Sequence, residues 1–123
     1  TAKYRNVCDI FVLPSRSEGQ GISFLSTMAS GMPVVATQEG GVADFLFDAR
    51  RNPDKAATGW AVDKNSPPQI AEAVQDIITN PAQAQAVVER AQALVQEKYT
   101  WENIARDMLE RVFRPALRLP IVN

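Results

Sequence analysis

Residues 14–31 read PSRSEGQGISFLSTMASG, with Glu18 between Ser17 and Gly19 and a second glycine at Gly21. A carboxylate placed where a buried strand hands over to a helix can accept hydrogen bonds from a polyhydroxylated ligand, and sugars are such ligands. Its plainer role is to complement the positive end of the helix dipole, worth about 0.3–1 kcal/mol. Glycines ahead of a helix let a ligand approach the backbone and leave the first-turn amides free for an anion, with phosphate the natural guest. The Gly-x-Gly spacing also serves an ordinary strand-to-helix turn. The third glycine of a dinucleotide fingerprint is missing, Phe24 occupying its place.

Other chemistries are excluded by what the chain lacks. There is no histidine, so imidazole-based zinc sites, Ser-His-Asp triads and Cys-His pairs within the chain are ruled out. No metal and no cofactor are expected. The lone Cys8 excludes an internal disulfide framework and, standing before an apolar run, reads as a small core residue rather than a nucleophile. A formal net charge of −1 supplies no bulk attraction to nucleic acid or anionic membrane. No apolar run approaches the length of an integral membrane segment, and with a lone cysteine a reducing cytoplasm is the expected location; the opening TAKYRNVCD has no signal-peptide features, and the chain is expected to be a fragment.

Those residues have to be positioned by alternating strands and helices. The run DIFVL, residues 9–13 and ended by Pro14, suits a strand buried on both faces. Ile22, Leu25, Met28 and Ala29 recur at helical spacing, and Gly31 and Pro33 stop the helix. A second buried strand follows at 33–37, then a short helix around Val42, Phe45 and Leu46, a polar loop DARRNPDK and a third strand at 59–62. Ser66 reads as the N-cap of a helix ended by Asn80-Pro81, with Ile70, Val74, Ile77 and Ile78 as its buried face. Two further helices, 82–98 and 101–113, complete the chain, the last carrying Trp101, Ile104, Met108, Leu109 and Val112 on one stripe. Trp60 and Trp101 both read as core.

This order implies an α/β fold: a three-layer Rossmann-like sandwich with a short parallel sheet of about three strands and five or so helices. Ligands of such sheets sit beyond the carboxyl ends of the strands, where PSRSEGQG and TQEGG leave the sheet.

Residues 8–46, CDIFVLPSRSEGQGISFLSTMASGMPVVATQEGGVADFL, resemble nearly continuously the pattern ADIFVLPS..EG.G...LEAMA.G.PVVAT..GG..E of the retaining nucleotide-sugar glycosyltransferases with a GT-B fold, glycosyl transferases group 1. TGWAV and YTWENIARDMLERVF look like that family's last strand and closing helices. The resemblance implies that residues 1–123 are a partial C-terminal, donor-binding domain, a truncated C-terminal half of a GT-B fold. It implies transfer of a sugar from a nucleotide-diphosphate donor to an unknown acceptor with retention. By the same analogy Glu18 is the catalytic residue, touching donor-sugar hydroxyls, and the backbone of Gly19, Gln20, Gly21 and Ile22 meets the sugar and diphosphate. The family's basic diphosphate clamp would lie upstream, and none of Arg5, Arg16 or Lys64 matches it by motif.

Ser26 stands where the family places a ribose-binding glutamate, Thr27 where alanine is usual, and Asp44 where a glutamate follows the GG turn. By the same resemblance Ser26 is expected to be a substrate-binding residue, its hydroxyl still able to bond a ribose. Its change leaves two other readings open: a non-catalytic binding or scaffold protein with a degraded donor site, or a nucleotide-sugar epimerase. The chain by itself is expected to be inactive and, with the DIFVL strand exposed at an edge, to self-associate.

Overall fold

The computed structural model describes residues 2–5 and 7–117. Three short strands, β1 (Phe11–Leu13), β2 (Val34–Ala36) and β3 (Trp60–Ala61), form a parallel sheet in the order β1-β2-β3. Phe11 stands beside Val34, and Val35 beside Trp60. Pro14 follows β1 and Pro33 precedes β2, which limits how far the ladder extends because proline has no amide to donate.

A four-residue turn of helix, α1 (Ala2–Arg5), precedes β1. The crossover from β1 to β2 is α2 (Ile22–Ala29), and β2 leads through a 3-10 turn at Gly40–Asp44 and a loop into β3. Then come α3 (Pro67–Thr79) and α4 (Pro81–Lys98), both with proline in the first turn, where its missing amide is harmless.

Alternation along β2 divides the core. Val34 and Ala36 pack with Phe24 and Met28 of α2 and with Ala91 and Val95 of α4, while Val35 packs with Trp60, Ala73 and Ile77 of α3 and Val87 of α4. Helices therefore cover both faces of a short parallel sheet, the α/β sandwich that the strand–helix alternation implies. Trp60 is core as expected, and its indole donates to the Asp76 carboxylate at 2.8 Å.

Several side chains lie elsewhere than the sequence suggests. β1 is an edge strand rather than one buried on both faces, and Val12 is 39% exposed. On α2 the buried face is Phe24, Thr27 and Met28, and Ile22 points outward. Thr27 is tolerated there because its hydroxyl donates to the Ser23 carbonyl at 2.7 Å. Ile78 of α3 is exposed, as is Cys8, which precedes β1 without entering the core. Ser66 is the N-cap of α3 but makes no side-chain capping bond.

The largest departure is the last helical stretch. There α5 (Trp101–Met108) runs through a π-helical turn, Leu109–Phe113, into α6 (Arg114–Leu117). Thr100 caps it by accepting from the Asn103 amide, yet Trp101, Met108, Leu109 and Val112 are all exposed. Their stripe is real, but no other described element covers it.

Candidate functional site

Three loops leave the carboxyl ends of the three strands, residues 14–21, 37–41 and 62–66. They are tied to one another through backbone carbonyls of the first and through side-chain pairs. The Thr37 hydroxyl donates to the Ser15 carbonyl at 2.5 Å, and the Gly41 amide donates to the Gly19 carbonyl at 2.7 Å. Arg16 Nε donates to the Asn65 side-chain oxygen at 3.0 Å.

The contact between the two glycine-bearing loops is closer than side chains permit. Gly40, at φ 54, lies so near Glu18 that a Cβ there would overlap the Glu18 carbonyl oxygen. A Cβ on Gly41 would stand 2.6 Å from the Gly19 carbonyl oxygen. The GG pair thus makes a tight turn and admits another segment of the protein itself, the backbone that carries Glu18.

Gly21, in the left-handed conformation at φ 74, is buried against Phe24, Phe45 and Val42 and caps α2. Its carbonyl accepts from the amides of Phe24 and Leu25. The amides of Gln20, Gly21, Ile22 and Ser23 have no partner among the described residues. They lie at the helix terminus whose partial positive charge suits an anion.

Glu18 is half-buried, and its carboxylate accepts from the Gly19 amide at 3.1 Å. Gln20, Ile22 and Ser26 share the wall of a cavity of about 360 Å³ whose far side includes Tyr99, Trp101 and Ile104. Glu18 and Gly19 do not line it. Trp101 thus borders a cavity beside the loop instead of filling the core. The Ser26 hydroxyl donates to the Ser23 carbonyl at 3.2 Å, leaving its lone pairs available.

Charge around these loops is largely paired. Lys64 binds Glu39 at 2.9 Å, and Arg51 binds Asp63 at 2.9 Å. A hydrogen bond from Gln69, with Arg51 beside it, holds the Asp63 carboxyl below its usual value. Asp44 faces the end of α4: burial, with the Asp44 charge adding to it, raises the Tyr99 hydroxyl above its ordinary value. Among the described residues no group of three or more His, Cys, Asp or Glu is arranged to hold a metal ion. No helix among them is long and apolar enough to cross a membrane.

The Glu18 loop was readable from its residue types. The turn at Gly40 and Gly41 was readable too, but its close packing on Glu18 and the roles of Asn65 and Thr37 were not; the one local signal for Asn65 was its place just before the N-cap of α3, where a turn has to end.

The sequence pattern of the family described as Glycosyl transferases group 1 matches residues 2–94. D-inositol 3-phosphate glycosyltransferase of Arthrobacter sp. is 34% identical over 102 residues, which is 83% of this chain and 22% of that protein. The structure of a sucrose-phosphate synthase from Thermosynechococcus elongatus superposes with a TM-score of 0.80 at 28% identity, covering 97% of this chain and 28% of that one. Anabaena HepE, solved in complex with UDP-glucose, shares the fold with a TM-score of 0.77 at 19% identity over 89% of this chain and 29% of its own. The chain thus spans 22–29% of the length of these three proteins. With the motif, the parallel α/β sheet and this match in agreement, the chain belongs to the glycosyl transferases group 1 family.

Proposed function

We propose that this chain forms part of the donor site of a glycosyltransferase that moves a sugar from a nucleotide-diphosphate donor to an acceptor with retention. The observation that carries the reading is the pairing of unpartnered amides at residues 20–23 with the Glu18 carboxylate on one loop at the carboxyl end of β1. In this reading the amides of Gln20, Gly21 and Ile22, with the α2 terminus, stabilise charge on the departing diphosphate. Glu18 exchanges its bond to the Gly19 amide for hydroxyls of the sugar, and Gly19 leaves the space open. Ser26 stands one turn along α2, within reach of the nucleoside portion. HepE crystallised with UDP-glucose supports a nucleotide sugar as the ligand class.

The test is turnover of a nucleotide-sugar panel by the full-length parent and its Glu18→Ala variant. Glu18→Ala is expected to lower kcat/KM strongly while changing stability by no more than the dipole contribution of about 0.3–1 kcal/mol. Equal activity of the two proteins would return Glu18 to a helix-end role.

One observation favours a non-catalytic binding protein instead: a serine whose hydroxyl is turned to its own helix occupies position 26. Calorimetry of the parent with UDP, GDP and ADP separates the two, since a degraded site gives no nucleotide heat.

A further inference from the structure

The Glu18 loop is tied at Ser15 by Thr37 and at Gly19 by Gly41, both from the carboxyl end of β2. Between those ties lie residues 16–18, the piece of backbone that carries Glu18. Gly40 packs on the Glu18 carbonyl, and among the described residues the bond from Arg16 Nε to Asn65 is the hydrogen bond that reaches this piece from another loop, spanning 49 positions. Asn65 is also the non-glycine residue with positive φ among the described residues, at φ 55. Asparagine enters the left-handed region more readily than most side chains, and outliers of this kind persist where the surroundings hold them. Its neighbour Lys64 is fastened to Glu39 of the second loop at 2.9 Å, so the turn that presents Asn65 is itself anchored.

We propose that Asn65 and Arg16 form a latch by which the turn after β3 sets the position of Glu18. Both are positioning residues: they act through the loop and need no contact with ligand. The consequence for donor binding rests on the function proposed above; the latch itself does not.

Two measurements on Asn65→Gly test it. Glycine adopts φ 55 without strain, so the turn is retained while the acceptor is removed. Trypsin cleavage at Arg16–Ser17, followed by mass spectrometry on the 123-residue chain, is expected to accelerate about fivefold, the population change that matches loss of one ordinary hydrogen bond. Asn65→Asp keeps an oxygen acceptor and a tolerance for positive φ, and is expected to restore the slow cleavage. In the full-length parent, Asn65→Gly is expected to weaken nucleotide-sugar binding by a similar factor, and Asn65→Gly with Arg16→Ala no further than either change alone.

Unchanged cleavage in Asn65→Gly overturns the latch. Faster cleavage with unaltered donor affinity overturns its influence on the site. A wild-type parent that binds no nucleotide sugar defeats the proposed function, and the cleavage rates still decide the latch.

Discussion

Gly40 and Glu18, on loops that follow different strands, approach so closely that no side chain fits between the Gly40 backbone and the Glu18 carbonyl. The carboxylate-bearing loop therefore rests on glycine backbone, with the Gly41-to-Gly19 bond of 2.7 Å beside the contact. Backbone packing of this kind has no rotamers with which to absorb an intruding atom.

Gly40→Ala is accordingly expected to destabilise the chain by more than about 1 kcal/mol, since alanine suffers both from the positive φ and from the overlap. Gly19→Ala is the matched control, because a Cβ there meets nothing within 4 Å, and a change within about 0.5 kcal/mol is expected. Urea unfolding of the two variants checks this. Equal losses would mean that the contact does not govern stability.

Ser26→Glu restores the carboxylate that the resembled family carries on this helix. A hydrogen bond to a charged acceptor is worth about 1.5–3 kcal/mol, so donor binding by the full-length parent is expected to tighten about tenfold or more. The half-buried position beside Gln20 opens onto the cavity of about 360 Å³, which leaves room for the longer side chain. Dissociation constants for both forms decide the outcome. Weaker binding by the glutamate form would mean that the serine suits a different donor.

Tyr99 sets an alkaline limit on stability. Its folded-state pKa is raised above 10.0, first by burial and then by Asp44, so the folded chain holds the hydroxyl proton longer than the unfolded chain does. The contribution is present in full below pH 10.0 and is lost as pH rises from there through the folded value. Tyr99→Phe is expected to flatten the fall of unfolding free energy across that interval, and Asp44→Asn to shrink it. An identical alkaline slope in wild type and Tyr99→Phe would contradict the assignment.

Self-association through β1 is the fourth expectation. Among the described residues the strand pairs with β2 alone, Val12 is 39% exposed, and a cavity of about 300 Å³ bordered by Tyr4, Phe11 and Val12 lies against it. Edge strands with apolar side chains invite further strands, and a charge on the edge discourages them. Light scattering is expected to find a dimer of the chain and a monomer for Val12→Lys. A wild-type monomer in dilute solution counts against the idea.

Much of this architecture was legible from residue order because strong local signals coincide with element ends. Pro14 and Pro33 bracket β1 and β2, Pro67 and Pro81 open α3 and α4, and Gly31 stands just past α2. Burial was less legible where it depends on what lies opposite. The Trp101 stripe has a helical period, yet period says only that one face is apolar: here Ile104 is half-buried beside the cavity while Trp101, Met108, Leu109 and Val112 stay exposed. Thr27 was the reverse case: a polar residue that its own helix carbonyl allows into the core. Within the site, the Glu18 loop was visible as a motif of contiguous residues. The tie from Arg16 to Asn65 was invisible, because no local pattern relates positions 49 apart.

The residues that hold the Glu18 loop and those that border open space are largely different. Its bonds run through Ser15, Arg16 and Gly19, whereas Gln20, Ile22 and Ser26 face the cavity. None of the ties uses a side chain of those three residues. Such a site can exchange one ligand for another over evolutionary time by altering the surface it presents while its scaffold is inherited unchanged, and the serine at position 26 is the kind of exchange that this separation permits.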